Sequence, residues 1–367
     1  MIGAPRQVAV LGLGGTIAMA AGSAGGAEPA LSAADVIRTV PALGGLPIEL
    51  VVDDVHRLPG ASLGFDDLES VATIARQRCA SGADGVVVTQ GTDTIEESAY
   101  LLDLLHTGPE PIVVTGAMRN ASLAGADGPA NVLAAVQVAA STEARDQGCL
   151  VVLADEIHAA SRVRKTHATS LTAFASPNGG PLGYVVEGRP RFVNHLPARF
   201  CVPPDLRRTD RRNLPRVGLA VVSLGDDGAL LDGAADRLDG LVVAGFGVGH
   251  VPQWLVDDLA EIAARIPVVL ASRTGAGTVL AATYRFVGSE STLSAAGLIP
   301  AWFLDPYKAR ILLHVLLGSG CDHPTIAAAF AAAGGYAPVQ SWPWPIAEAD
   351  GRRAPRRRRP PPLPGDR

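Results

Sequence analysis

The sequence predicts an α/β fold in which a mostly parallel sheet is wound between helices on both faces. Three observations point there. Short runs of Val, Leu and Ile recur along the 367 residues. The runs are near-continuous and do not alternate with polar residues, which is how strands covered on both faces read. Helix-length segments separate them, and strand–helix alternation is the mark of a parallel sheet with helical crossovers.

Taken in order, the strand-like runs are 8–11 (VAVL), 48–52 (IELVV), 86–89 (VVVT), 112–115 (IVVT), 150–153 (LVVL), 217–223 (VGLAVVS), 241–244 (LVVA) and 267–270 (PVVL). Helices are expected at 66–80, 94–106, 129–140, 254–265 and 306–317. The helix at 94–106 has the clearest start. Thr94 stands where a cap belongs and Glu97 follows three residues later, a capping-box pattern; Gly108 and Pro109 stop it. The stretch before it, VVVTQGTD, therefore reads as a strand end followed by a tight loop, the place where open α/β sheets bind ligands.

The stretch 189–215 holds five prolines and seven arginines and has no strong periodicity, so it reads as a connection. At about 150 residues per domain the length fits two domains. The expected division is an N-terminal catalytic α/β domain over 1–190, a linker over 191–215, a smaller C-terminal α/β domain over 216–340, and an Arg/Pro-rich tail over 341–367 expected to be disordered.

Composition excludes several classes. At 48% hydrophobic residues the chain is too apolar to be disordered as a whole. No uninterrupted apolar run approaches 18 residues, so no spanning helix is expected. The N-terminus runs at once into VAVLGLGG with no basic-then-apolar leader, and a cytoplasmic protein is expected. The net charge of −5 is uneven: residues 351–367 carry seven Arg and one Asp, leaving −11 on the rest. An acidic body argues against nucleic-acid binding, although the tail offers a contact for anionic partners. Cys79, Cys149, Cys201 and Cys321 lie far apart and read as reduced thiols. The eight histidines show no metal-ligand spacing, and the local group Asp53, Asp54 and His56 does not make a site, so no metal is expected. Lysine is nearly absent: only Lys165 and Lys308 stand against 29 arginines.

Three constellations carry chemistry. In VAVLGLGGTIAM a strand runs into Gly12, Gly14 and Gly15 and then displays Thr16. A dinucleotide fingerprint would want Gly where Ile17 stands, so that reading is weak. Thr16 is either a nucleophile at a strand end or a cap for the next segment. In VVVTQGTDTIEES, Thr92 and Asp93 sit at the next strand end. A carboxylate there can hold a ligand ammonium and a hydroxyl can orient a water; both residues can also serve as caps. In RVRKTHATS, Lys165 follows a strand by about a dozen residues. A chain that uses Arg for surface charge has little reason to keep a surface Lys. An amine in a desolvated or cationic setting can help activate a hydroxyl.

Jointly these segments resemble the L-asparaginase/glutaminase family of bacterial type. The resemblance runs to about residue 335 and also rests on PIVVTGAMRNASLAGADGPANVLAAV, VAGFGVGHVP, SRTGAG and FLDPYKARILL. It implies a large N-terminal flavodoxin-like domain and a smaller C-terminal α/β domain. It implies two-step amide hydrolysis through an acyl-enzyme, without metal or cofactor, on a small substrate, L-asparagine. Carried over by position, Thr16 matches the nucleophile, and Thr92 with Lys165 matches a proton relay. Asp93 matches the carboxylate that holds the substrate ammonium. Ala117 matches the residue whose carbonyl contacts the scissile amide. A homodimer or homotetramer is implied, because the family completes each site from a second subunit.

Three departures bear on specificity. The family commonly places a Tyr in the lid, whereas residues 17–55 contain none; Ser23, Glu28 or the Thr92–Lys165 pair are the alternatives for its role. The carboxylate-binding Ser falls on Gly60, with Ala61 and Ser62 next. The partner-subunit stretch usually reading Gly-Asn-Gly-Asn is Gly247-Val248-Gly249-His250, and Glu290 is the nearest acidic residue after Tyr284. A preference for glutamine or another amide, or a binding protein without catalysis, are the alternatives these departures leave open.

Overall fold

The computed structural model describes residues 5–21, 27–29, 31–206 and 214–346. β1 (Arg6–Gly14) is followed by an antiparallel pair, β2 (Met19–Ala21) and β3 (Ala27–Pro29), and by α1 (Ala33–Arg38). Then come β4 (Ile48–Leu58), α2 (Phe65–Ala80), β5 (Gly85–Thr89), α3 (Ile95–Leu105), β6 (Ile112–Thr115), α4 (Gly128–Ala139) and β7 (Cys149–Leu153). β8 (Glu156–Ala159), a second antiparallel pair formed by β9 (Arg164–Lys165) and β10 (Phe174–Ala175), β11 (Gly183–Val186) and β12 (Arg189–Phe192) follow.

The large sheet has the order β4-β1-β5-β6-β7-β8-β11-β12. Its first five strands are parallel, and numbered among themselves they run 2-1-3-4-5, the flavodoxin order. The three strands beyond β7 are antiparallel. Alternation explains the layering. Val8, Val10, Val87 and Val113 join a core with α1 and α4 on one face. Ala9, Leu11, Val86 and Val88 join another with α2 and α3 on the opposite face.

The second part contains β13 (Val217–Val221), α5 (Ala234–Arg237), β14 (Gly240–Gly245), α6 (Val256–Ala263), β15 (Val268–Ser272), α7 (Glu290–Ala295), β16 (Ile299–Pro300), α8 (Pro306–Gly318) and α9 (His323–Ala333). β13 to β16 form a separate four-stranded parallel sheet. The two parts share a core. Val242 and Val269 of the small sheet, with Leu312 and Leu313 of α8, pack in the same cluster as Leu101 and Leu104 of α3. Ten α3 residues are buried, Glu96, Ser98 and Asp103 among them, so this helix is enclosed on both sides. The rings of Phe65 and His314 stack across the same junction at 3.6 Å.

Two segments differ from the sequence reading. The stretch 189–215, read as a connection from its prolines, begins with the edge strand β12. Pro190 is tolerated there because an edge strand leaves backbone N–H groups without ladder partners. Further along the same stretch, Arg199, Cys201 and Val202 are buried. Trp342, placed in the expected tail, is also buried and donates its indole N–H to the Cys201 carbonyl at 3.2 Å. Residues 347–367 lie outside the described residues.

Candidate active site

The strand order reverses between β1 and β5, and the C-terminal ends of these two strands carry the site. Their loops meet through bare backbone. Gly15 has φ +79° and ψ −171°, a conformation left to glycine, and a Cβ on it would fall onto the Gly91 nitrogen. A Cβ on Gly60 would lie 2.9 Å from the Gly91 oxygen, and one on Gly91 would lie 2.8 Å from the Gly60 nitrogen. Three separate segments are thereby pressed together. One displays Thr16, one holds the Gly60–Ser62 turn, and one carries the Thr92–Thr94 turn.

Lys165 bridges the third segment. Its Nζ donates to Thr92 Oγ1 at 3.0 Å and to Asp93 Oδ1 at 2.9 Å. Thr92 is buried, whereas the Asp93 side chain is 65% exposed, so a solute can reach the carboxylate. Thr16 opens a short turn, half-buried, and its hydroxyl makes no hydrogen bond among the described residues. The next residue, Ile17, is buried against Gly128 at the start of α4. The loop holding Ala117 is adjacent: a Cβ on Gly116 would meet the Thr92 methyl at 3.2 Å. That loop is pinned by Asp127, which accepts from the Met118 and Arg119 amides at 3.0 and 2.9 Å.

Thr94 does not form the expected capping box. No side chain caps α3; Thr94 Oγ1 donates instead to the Gly60 carbonyl at 3.0 Å. It accepts from Gln90 Nε2 at 3.3 Å, which also reaches Ser98 Oγ at 3.1 Å. A cap needs the hydroxyl oxygen as an acceptor and an extended backbone, whereas Thr94 has φ −118° and ψ 11° and its oxygen accepts from Gln90. Gly60 is buried, while Ala61 and Ser62 are exposed.

The other lysine holds the first in place. Lys308 is fully enclosed on α8, and its Nζ donates to the Val163 carbonyl at 2.6 Å and to Asp305 at 2.9 Å, with Glu96 at 4.0 Å. Burial works to raise the Asp305 pKa, but the Lys308 charge and hydrogen bond, with the Arg164 charge, outweigh it and hold the carboxyl low. Burial pushes the Glu96 carboxyl up despite the same lysine.

His250 lies apart from this group in the single chain. Its Nε2 is 3.2 Å from Glu290, and its ring meets Tyr284 and Phe286 edge-on at 5.0 and 4.9 Å. Burial opposes ionisation of Glu290, yet the backbone N–H groups of Tyr284 and Thr283, together with His250, keep its carboxyl below the ordinary range. Ser23 lies outside the described residues, and of Glu28 only the backbone, in β3, is described. Sequence reasoning missed Gln90, Thr94 and the tethering role of Lys308. The signal for Lys308 was available in its rarity.

Residues 7–198 match the family model described as asparaginase, N-terminal, and residues 216–330 match the glutaminase/asparaginase C-terminal domain. A probable L-asparaginase of Deinococcus radiodurans is 37% identical over 326 residues, covering 88% of this chain and 97% of that protein. A glutaminase-asparaginase of Pseudomonas fluorescens biotype A is 32% identical over 319 residues, covering 85% and 86%. The crystal structure of a probable cytoplasmic L-asparaginase from Campylobacter jejuni superposes with a TM-score of 0.78 at 32% identity, covering 89% of this chain and 99% of that one. Fold and relatives together define an amidohydrolase. The chain belongs to the asparaginase family.

Proposed function

We propose that this enzyme hydrolyses the side-chain amide of L-asparagine to L-aspartate and ammonia through a threonine acyl-enzyme. The observation that carries the reading is the Lys165 nitrogen between Thr92 Oγ1 and Asp93 Oδ1, at 3.0 and 2.9 Å. Threonine is a weak nucleophile and needs a base. In this reading Thr16 Oγ attacks the amide carbon, and its proton passes to Thr92 Oγ1 as Thr92 gives its own to the lone pair of the Lys165 amine. The amide nitrogen takes a proton and leaves as ammonia, and water then cleaves the acyl-threonine ester. Asp93 holds the substrate ammonium. That ammonium competes with Lys165 for the same carboxylate oxygen, so substrate binding frees the amine toward Thr92. Backbone N–H groups near Thr16 and Thr92 serve the oxyanion, each worth about 2.7–4 kcal/mol in acyl-transfer enzymes. Ala117 contacts the scissile amide, and the turn Gly60–Ala61–Ser62 takes the α-carboxylate. His250 serves the site of a second copy.

We take 1–190 as the catalytic domain and 216–340 as the C-terminal domain of a cytoplasmic homodimer or homotetramer. The Campylobacter neighbour, described as a probable cytoplasmic enzyme, supports the location. No described helix is long and apolar enough to cross a membrane. Light scattering that found an active monomer would refute the assembly.

The test of the reaction is ammonia release from asparagine by purified protein. Wild type should release it and Thr16→Ala should not; undiminished release from Thr16→Ala would sink the assignment. Lys165→Met should cut turnover by orders of magnitude with unchanged thermal unfolding. A glutamine preference is the second reading, favoured by Gly60 standing where a serine hydroxyl is expected. The ratio of kcat/KM for asparagine and glutamine decides between them.

A further inference from the structure

A cavity of about 600 Å³ lies between the two parts of the chain, bordered by α3, residues 196–200, residues 303–305 and the end of α9. That volume is ordinary for a small-molecule site. None of Thr16, Thr92, Asp93 and Lys165 lines it. Arg164 does, and this follows from strand geometry. Successive residues of β9 face opposite ways, so Lys165 faces the Thr92 turn while Arg164 faces the cavity.

Most of the wall is apolar, with Leu196, Pro197, Phe200, Phe303 and Val339 contributing. The polar groups are unevenly paired. Asp305 is matched by Lys308 at 2.9 Å, and Asp103 accepts the Cys149 amide at 2.8 Å. Arg164 lies 3.7 Å from Glu96. Arg199 is buried and donates to the carbonyls of His106 and Gly108, at 2.9 and 3.1 Å, and to the Cys201 sulfur at 3.9 Å, with its Nε unpartnered. Arg162 borders the cavity half-buried, and among the described residues its guanidinium makes neither an ion pair nor a hydrogen bond. Burial accordingly pulls its pKa down with no carboxylate to offset it. The chain makes room for this cation at Gly179, where a Cβ would meet the guanidinium at 3.0 Å. The Tyr100 hydroxyl, on a side chain only 3% exposed, borders the same space and likewise has no hydrogen-bond partner among the described residues.

An unpaired, half-buried guanidinium over an apolar chamber is half of a charge pair with part of its desolvation already incurred. We propose that this interdomain cavity is a second binding site, distinct from the amidohydrolase centre, for a small monoanion with an apolar body. The anionic group seats on Arg162, the Tyr100 hydroxyl donates to it, and the body packs on Phe200, Phe303 and Val339.

Anilinonaphthalene sulfonate is a suitable fluorescent probe, and phenylnaphthylamine supplies the same body without the sulfonate. The wild-type chain should bind the sulfonate saturably at one site. Arg162→Gln should weaken that binding about tenfold or more, the loss of one charge-assisted hydrogen bond, and leave phenylnaphthylamine unchanged. Ala333→Phe, which fills the chamber, should abolish both, with thermal unfolding confirming that each variant is folded. Unchanged sulfonate affinity in folded Arg162→Gln would overturn the proposal. So would equal loss of both dyes in Arg162→Gln, absence of saturable binding by wild type, or retained binding in folded Ala333→Phe.

Discussion

The ammonium of Lys308 lies 2.6 Å from the carbonyl oxygen of Val163, two residues before Lys165. A buried cation from the C-terminal part thus fixes the backbone that aims the cation of the site. Lys308→Met removes that donor and leaves the enclosed Asp305 and Glu96 with only the Arg164 charge, 3.7 Å from Glu96. Breaking a buried pair from one side costs about 3–5 kcal/mol. Urea unfolding should show a loss of that size. Ammonia release should fall further than the folded fraction does, because Lys165 loses its support. An unchanged urea midpoint would refute the tether.

Gly15 and Gly44 make a matched pair of substitutions. A Cβ on Gly44 meets nothing within 4 Å, whereas one on Gly15 strikes Gly91 and requires a backbone conformation left to glycine. Gly15→Ala should cost more than about 2 kcal/mol and abolish turnover. Gly44→Ala should retain full turnover and unfold within about 1 kcal/mol of wild type. Comparable behaviour of the two variants would contradict the close approach of the loops.

Thr94→Val keeps the shape of the side chain and removes the hydroxyl between Gln90 and the Gly60 carbonyl. The turn proposed to hold the substrate carboxylate then loses one hydrogen bond worth about 1 kcal/mol. Steady-state kinetics should show KM up roughly fivefold with kcat within about a factor of two. A fall in kcat at constant KM would place Thr94 in the chemical step instead.

Acid should destabilise the fold early. Burial holds His106, His158 and His314 neutral, with pKa values lowered to about 4 against an ordinary 6.5. Above about pH 6.5 they are neutral in both folded and unfolded chains and contribute no pH dependence. Between 6.5 and 4 the unfolded chain takes up protons that the native chain refuses, so stability falls as pH drops. The slope is at most about 1.4 kcal/mol per pH unit for each histidine. Urea midpoints between pH 8 and pH 5 should decline below about 6.5; native ring resonances of the three histidines that titrate near 6.5 would refute their neutral burial.

Much of this architecture is legible in the sequence because enclosed parallel strands have a direct signature. VVVT, IVVT and LVVL leave few other readings, and β5, β6 and β7 lie there. Lys165 is legible because an arginine-rich chain kept it. β8, β11 and β12 escaped because edge-side antiparallel strands carry Glu156, His158, Arg189 and Pro190, residues whose pairing depends on neighbours far along the chain. Thr94 was misread for a related reason. A local pattern specified a cap, but the hydroxyl is held between Gln90 and the carbonyl of Gly60, 34 positions upstream, and does not accept from the helix N–H groups. The cavity was not legible at all, since its walls come from segments that meet only when the two sheets pack.

The contact among Gly15, Gly60 and Gly91 also limits how this enzyme can change over generations. Each position excludes a side chain because of the others, so no one of them can vary independently. A lineage that gains a serine at 60 must first move the 91 backbone, and that movement carries Thr92 and Asp93 with it. Specificity can drift far more freely through Ala61 and Ser62, which face solvent and displace nothing when they are replaced.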